Sequence, residues 1–319
     1  MKALITGGAG FIGSHLCRKL VRDGYSVAVI DDLSTGRLEN ISSLIDEGTV
    51  SFVEGDACDA ASIEPLIKDC DVVFHLAAAV GVQLIVDRPV HTIETNIHAT
   101  EVVLELANKY GKKVLLVSTS EVYGKSEQVP FHEDDDSVLG STRFSRWSYA
   151  CSKAIDEFLG FAYHQEFGLE VIVVRIFNTI GPRQTGKYGM VVPRFVEKAL
   201  KGEDIEIYGD GKQARCFCYV GDVVDGLVGL VEKDGTAGRV YNIGSDEEIT
   251  IEGLADLVIA KTGSVSKKKF LSYEEAYGRP FDDMLRRVPS LERINEAIGY
   301  EPRTSLDSTL GLIIESLGS

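Results

Sequence analysis

The sequence predicts an α/β protein, a doubly wound parallel sheet followed by a smaller α/β unit. Three observations carry this expectation. Short strands apolar on both faces alternate with helix-length stretches up to residue 177, glycines cluster between the first strand and the first helix, and the alternation loosens afterwards. In chain order the first strands are Lys2–Thr6, Ser26–Asp31, Val50–Gly55, Asp71–Leu76, Lys113–Thr119 and Glu170–Phe177. They are rich in Val, Ile and Leu on both faces, as strands buried between two helical layers must be. Helical stretches near 12–23, 61–68, 90–110 and 148–167 lie between them, and such alternation builds a parallel sheet. Its ligand crevice is expected at the carboxyl ends of the strands, where the winding reverses. Beyond a soft boundary at 177, helices are expected at Val191–Lys201, Asp222–Val231, Ile251–Lys261 and Leu291–Ala297. Strands are expected at Ile205–Tyr208, Arg215–Val220, Arg239–Ile243 and Lys269–Ser272. Gly181-Pro182, Gly209-Asp210-Gly211 and Gly278-Arg279-Pro280 mark the turns. The division is thus 1–177 and 178–319, with a crossover of the chain between the two units allowed.

Composition narrows the function classes. With 44% hydrophobic and 26% charged residues the chain is globular rather than disordered. No apolar run approaches the roughly 18 residues that cross a bilayer. The start, Met1-Lys2-Ala3-Leu4-Ile5-Thr6, is too short for a secretory signal, so a cytoplasmic protein is expected. Forty-nine acids against 33 bases give a net charge of −16, which disfavours nucleic acid and anionic membrane as partners. A small anionic ligand then needs arginines gathered at one place. Cys17, Cys58, Cys70, Cys151, Cys216 and Cys218 form no CxxC pair. Cys216 and Cys218 are expected on one face of one strand, a poor geometry for bonding to each other, so all six read as free thiols. The histidines lack ligand spacing, and no metal site is expected. The acidic run Glu133–Asp136 reads as a solvated loop.

Gly7, Gly10 and Gly13, with Phe11 and Ile12 between them, follow the first strand and open the first helix. Glycine there permits a tight turn and close approach of backbone to a pyrophosphate, and the helix N-terminus adds N–H donors. Asp31 ends the second strand, where a carboxylate accepts from a ribose diol and repels a 2′-phosphate. These features define a Rossmann site, and Asp31 with Asp32 favours NAD over NADP, although Arg37 stands nearby. Asp56 and Ala57 after the third strand, and Leu76, Ala77 and Ala78 after the fourth, are further candidates for contact with the cofactor.

Tyr149 and Lys153 form YxxxK. Residues four apart share a helix face, so the ammonium is expected beside the phenol, lowering its pKa and making it a usable base. The motifs TGGAGFIGSH, DDLSTG, FHLAA, STSEVYG, YACSK, RIFNTIGPRQ, YGDGKQARCFCYVGDV, YNIGS and RRVPS then run through nearly the whole chain. On these the sequence resembles the extended short-chain dehydrogenase/reductase superfamily, within it the nucleotide-sugar epimerases, dehydratases and decarboxylases. The resemblance implies tightly held NAD, a nucleotide-diphosphate sugar such as a UDP-sugar, a 4-keto intermediate, and a homodimer built through helices 90–110 and 148–167. It implies that Asn178 faces the diphosphate and that Val191 and Val192, with Tyr188 and Gly189, line the base through backbone groups. Tyr208 and Arg215 are implied at the ribose and diphosphate, and Arg287 at the diphosphate or sugar. Arg183 and Arg194 receive no role.

By the same resemblance Tyr149 removes the C4 hydroxyl proton while Thr119 hydrogen-bonds that oxygen. Glu121 and Arg287 match the nucleotide-sugar glucuronate decarboxylases, and Arg146-Trp147-Ser148-Tyr149 resembles one branch of them. A UDP-glucuronate decarboxylase forming UDP-xylose and a UDP-sugar 4-epimerase both stay open. A third reading, a non-catalytic NAD-binding sensor, sits poorly with a chain that keeps both Tyr149 and Lys153.

Overall fold

Strands whose side chains are apolar on both faces need cover on both, and the computed structural model shows how they obtain it. It describes residues 1–81, 87–186, 190–277, 284 and 286–318. The first unit contains β1 (Lys2–Thr6), α1 (Phe11–Arg22), β2 (Ser26–Asp31), α2 (Ser42–Asp46), β3 (Val50–Glu54), α3 (Ala60–Asp69), β4 (Val72–His75), α4 (Pro89–Tyr110), β5 (Lys113–Thr119), α5 (Arg146–Phe167) and β6 (Val171–Ile176). There follow β7 (Thr179–Ile180), α6 (Val191–Leu200), β8 (Ile205–Tyr208), β9 (Ala214–Cys216), β10 (Cys218–Tyr219), α7 (Val220–Glu232) and β11 (Arg239–Ile243). The chain continues through β12 (Glu248–Thr250), α8 (Ile251–Thr262), β13 (Lys268–Leu271), α9 (Tyr273–Tyr277), α10 (Glu292–Ile298) and α11 (Leu306–Gly318).

Seven strands among the described residues form one parallel sheet in the order β11-β6-β5-β4-β1-β2-β3. The winding reverses between β1 and β4, where Ile5 pairs with both Val29 and Phe74. Strand alternation sends Ile5, Val29, Phe74, Leu115 and Val174 to one face, which packs against Leu16 of α1 and Val224 and Leu227 of α7. Leu4, Ile30, Val73, Leu116 and Val173 take the other face, with Ile63 of α3 and Val103 of α4. The carboxyl ends, Thr6, Asp31, His75 and Thr119, therefore open along one edge. A separate core of Phe195, Val196, Ile207, Leu254, Val258 and Leu310 joins α6, α8 and α11 to β8.

Two expectations change. The strand expected at 215–220 is two strands meeting at Phe217. Cys216 pairs antiparallel with Glu248, while Cys218 pairs parallel with Thr179. The two thiols thus belong to different sheets; both are buried and burial pushes each up to about 12. The acidic run is not wholly solvated, because Glu133 is buried and its Oε1 accepts from Asn242 N–H at 2.9 Å. The strand 239–243 extends the first unit's sheet, with Tyr241 opposite Val174, and α7 packs on α1. The turn expected at Gly278-Arg279-Pro280 lies outside the described residues. Among the described residues no helix is long and apolar enough to cross a membrane.

Candidate active site

The loop after β1 is built on glycine for steric reasons. Gly7 has φ +73, and a Cβ on Gly13 would stand 2.3 Å from the Gly7 carbonyl oxygen. No side chain larger than hydrogen lets α1 start this close to β1. The first turn of α1 carries no acid, so its N–H groups and dipole face the crevice without a competing carboxylate. Asp31 is buried at the end of β2; Oδ2 accepts from Ala9 N–H and Oδ1 from Leu33 N–H, both at 2.9 Å. Burial raises its carboxyl pKa, and these two N–H groups oppose the rise. The backbone thereby holds the carboxylate at the loop with lone pairs left for a ligand hydroxyl.

His75, at the end of β4, fastens the floor of the crevice. Nδ1 lies 2.8 Å from Thr6 Oγ1 and Nε2 lies 3.2 Å from Thr100 Oγ1. Burial, and then Lys153, lowers its pKa to about 3, so the ring is neutral. Thr6 Oγ1 also accepts from Ala77 N–H at 3.1 Å, and Asn96 Oδ1 accepts from Ala79 N–H at 2.7 Å. The small residues Leu76–Ala79 are thus tied to β1 and α4.

One cavity of about 630 Å³ runs from this loop into the second unit. It gathers Gly7, Gly10, Phe11, Ile12, Gly13, Asp31, Asp32, Asp56, Ala57, Leu76, Ala77 and Ala78 with Thr119, Glu121 and Tyr149. From the other side come Asn178, Val191, Val192, Tyr208, Arg215 and Arg287. Tyr188 and Gly189 lie outside the described residues. Among the described residues Lys153 is the one predicted site residue that does not line the cavity.

Lys153 sits behind Tyr149 on α5, 2% exposed, and its Nζ donates to Asp156 Oδ2 at 2.7 Å. The expected depression of the phenol's pKa is therefore not found. Burial raises the Tyr149 pKa, the carboxylates of Glu121 and Asp156 raise it further, and Arg287 and a hydrogen bond with Thr119 oppose them. The lysine's charge is balanced locally by Asp156, which sequence reasoning overlooked.

At the sugar end, the short turn Ser120–Tyr123 after β5 presents Glu121. Its Oε1 accepts from Arg287 Nη2 at 3.1 Å and lies 3.5 Å from Arg146 Nη2. Both arginines are buried, at 6% and 4% exposure. The guanidiniums of Arg146 and Arg287 thus meet at the Glu121 carboxylate at the end of the cavity. Arg146 was not among the expected site residues; its signal is the three-residue spacing from Tyr149 on one helix face.

Two arginines given no role also line the cavity. Arg183 donates from Nε to Ser14 Oγ at 3.0 Å, and burial together with Arg18 lowers its pKa to about 10. Arg194 stacks on the Tyr208 ring at 4.0 Å. Among the described residues Arg183 Nη2, Arg194 Nε and Asn178 Nδ2 are buried donors without acceptors. Buried donors need acceptors, and an acceptor-rich diphosphate suits this wall. The glycine loop, Asp31 and these donors fit a dinucleotide and a nucleotide-diphosphate sugar laid end to end. Among the described residues no group of three or more His, Cys, Asp or Glu side chains is placed to hold a metal ion.

Residues 4–312 match the family described as GDP-mannose 4,6 dehydratase. The chain is 40% identical over 310 residues to the UDP-N-acetyl-alpha-D-glucosaminuronate decarboxylase of Bacillus cytotoxicus, covering 97% of this chain and 95% of that protein. It is 37% identical to UDP-glucuronic acid decarboxylase 1 of Xenopus tropicalis, covering 98% and 71%. The structure of a UDP-glucuronic acid 4-epimerase from Bacillus cereus, in complex with UDP-glucuronic acid and NAD, superposes with a TM-score of 0.90 at 29% identity. It covers 100% of this chain and 99% of that one.

Proposed function

The chain belongs to the GDP-mannose 4,6-dehydratase family, and from that premise we propose that it is an NAD-dependent decarboxylase of a UDP-linked uronate, with UDP-glucuronate as substrate and a UDP-pentose of the UDP-xylose type as product. The observation that carries the reading is Glu121 held between Arg146 and Arg287 in the same cavity as Tyr149. Guanidinium groups suit a sugar carboxylate, and Glu121 offers a proton-transfer group beside them. The relatives named as decarboxylases support the same choice.

Gly7, Gly10, Phe11, Ile12 and Gly13 hold the cofactor diphosphate in this reading, and Asp31 holds the adenosine ribose. Asp32, Asp56 and Ala57 flank the adenosine, and Leu76, Ala77 and Ala78 form the floor. When bound, NAD supplies a reversible hydride acceptor. Asn178 and Arg215 grip the UDP diphosphate, Val191 and Val192 meet the base, and Tyr208 meets its ribose. Tyr149 takes the C4 hydroxyl proton as the C4 hydride leaves, oriented by Thr119. The resulting ketone stands β to the C6 carboxylate, which Arg146 and Arg287 orient. The C5–C6 bond then breaks, its electron pair enters the C4 carbonyl as an enolate, and CO₂ departs. Glu121 relays a proton to C5, and Tyr149 returns its proton as the hydride goes back to C4.

Incubation with UDP-glucuronate, followed by mass spectrometry of the nucleotide sugar, tests this. A product lighter by one CO₂ is expected; an unchanged mass would move the assignment to a UDP-sugar 4-epimerase. The relative at 40% identity favours an N-acetylated uronate as the second reading, so UDP-N-acetylglucosaminuronate belongs in a parallel incubation.

The reading includes a homodimer. Cys151, Ile155, Phe158 and Ala162 form an exposed stripe along α5, with Phe158 at 75% exposure, and α4 adds Val90 and Ile93. A second copy that pairs these helices removes the stripe from water. The same reading divides the chain near residue 177 into a cofactor unit and a substrate unit, with α7 and β11 crossing back. The free thiols suit a cytoplasmic setting.

A further inference from the structure

We propose that Asp156 is a positioning residue that pins the Lys153 ammonium behind Tyr149 and, by cancelling its charge, sets the pH range in which the phenol can act as a base. The geometry is specific. Asp156 lies three residues after Lys153 on α5, is 0% exposed, and accepts from Nζ at 2.7 Å. Thr100 stands beside it on α4 but gives its hydroxyl proton to Asn96 O at 3.1 Å, and among the described residues Asp156 Oδ1 is buried without a hydrogen-bond partner.

A carboxylate so incompletely satisfied is costly to bury, and one ammonium is its main compensation. Hydrophobic packing alone would place an apolar side chain at this depth. What the carboxylate adds is control of the lysine, in place and in charge. An ammonium without it would favour phenolate strongly; the Lys153–Asp156 pair is formally neutral and does not.

The other groups around the phenol are Thr119 and Glu121 at the end of β5, Arg287, and Arg146 beside Glu121. Around the pair stand His75 of β4, neutral, and Glu157, which is itself bound to Arg175. None of these takes over the compensation of Lys153. Burial and the two carboxylates hold the phenol in its protonated form, so Asp156 acts with Glu121 and against Arg287.

The inference rests on Tyr149 being the proton acceptor, and its test does not depend on which product forms. Phenolate absorbance is titrated in wild-type protein, Asp156→Asn and Asp156→Ser, each with and without Tyr149→Phe, so that the difference isolates Tyr149. Both neutral replacements should move the Tyr149 titration to lower pH by about one unit, tenfold in proton concentration. The acid limb of C4 oxidation should move with it. Folding of each variant is checked by thermal melting and NAD retention. A Tyr149 titration that stays in place in either folded variant overturns the proposal, even if activity falls. If the phenol moves as stated but the product mass excludes decarboxylation, the positioning role stands and the reaction assignment fails alone. With two replacements of different size, one failing to fold leaves the other to decide.

Discussion

Arg287 Nη2 lies 3.1 Å from Glu121 Oε1, joining residues 166 positions apart in the chain. The contact brings a late loop against the turn that follows β5, beside the phenol of Tyr149. Both side chains are largely buried, at 8% and 12% side-chain exposure. A substitution at either residue therefore disturbs a buried charge pair.

Glu121→Gln keeps shape and removes the proton-transfer group, so CO₂ release should fall by about a hundredfold, the usual scale for such a group. Cofactor reduction by substrate should survive better, and a 4-keto species should accumulate. Arg287→Lys keeps one charge but loses the planar fork that grips a carboxylate or diphosphate. It should raise KM for UDP-glucuronate and lower turnover, with NAD retention unchanged. Product mass and single-turnover absorbance of the reduced cofactor check both variants. If Glu121→Gln retains wild-type turnover, that residue moves no proton.

Tyr149→Phe keeps the ring and removes the hydroxyl. Reduction of bound cofactor by substrate should slow by at least about a hundredfold, while UDP-sugar affinity measured by calorimetry changes little. Unaltered reduction kinetics would take Tyr149 out of the chemistry.

Much of this site is legible in the sequence because its residues sit at fixed offsets from strand ends. Asp31 and Thr119 end strands at the expected positions, Gly7 and Gly10 fall between β1 and α1, and Gly13 lies in the first turn of α1. Arg215 was expected in one strand reaching Val220, but its strand β9 ends at Cys216 and the chain changes partner at Phe217, to which periodicity has no access. Arg183 and Arg194 look like ordinary surface arginines until the second unit folds them against Ser14 and Tyr208. Asp156 is the plainest gap. Its three-residue offset from Lys153 is visible in the sequence, but its burial is not, and burial is what turns an ordinary i,i+3 pair into control of a neighbouring phenol.

Asp31→Ala should weaken NAD binding by about tenfold or more, the scale of lost hydrogen bonds to a charged group. NADP should be affected less, because the same carboxylate repels its phosphate. Fluorescence titration with both cofactors measures the ratio. A wild-type protein that prefers NADP would contradict the reading of this residue.

His75 gives a stability prediction with a definite sign. Its folded pKa is lowered from 6.5 to about 3. Below pH 6.5 the unfolded chain takes up a proton that the folded one refuses, so this contribution is complete above pH 6.5 and is lost on acidification toward pH 3. The slope should be about 1.4 kcal/mol per pH unit in that window. Urea midpoints from pH 7 to 4.5 should show it, and His75→Asn should flatten the slope whatever its own stability.

Phe158→Asp places a charge on the exposed stripe of α5. The proposed dimer should then dissociate at micromolar concentration, read as a halved mass in light scattering, with the fold intact by circular dichroism. An unchanged mass would remove α5 from the interface.

The return of α7 and β11 to the first sheet has a consequence for how the protein is made. All six residues of β6 are buried, and β11 covers its outer edge. While the ribosome has not yet delivered residues 239–243, β6 is an open, apolar strand edge, and α1 lacks its partner α7. The nascent chain therefore carries an adhesive half-sheet between the synthesis of β6 and that of β11. Completion of the cofactor-binding half waits on a segment made more than sixty residues after β6, so a chain broken between the two is an aggregation-prone fragment rather than a small working module.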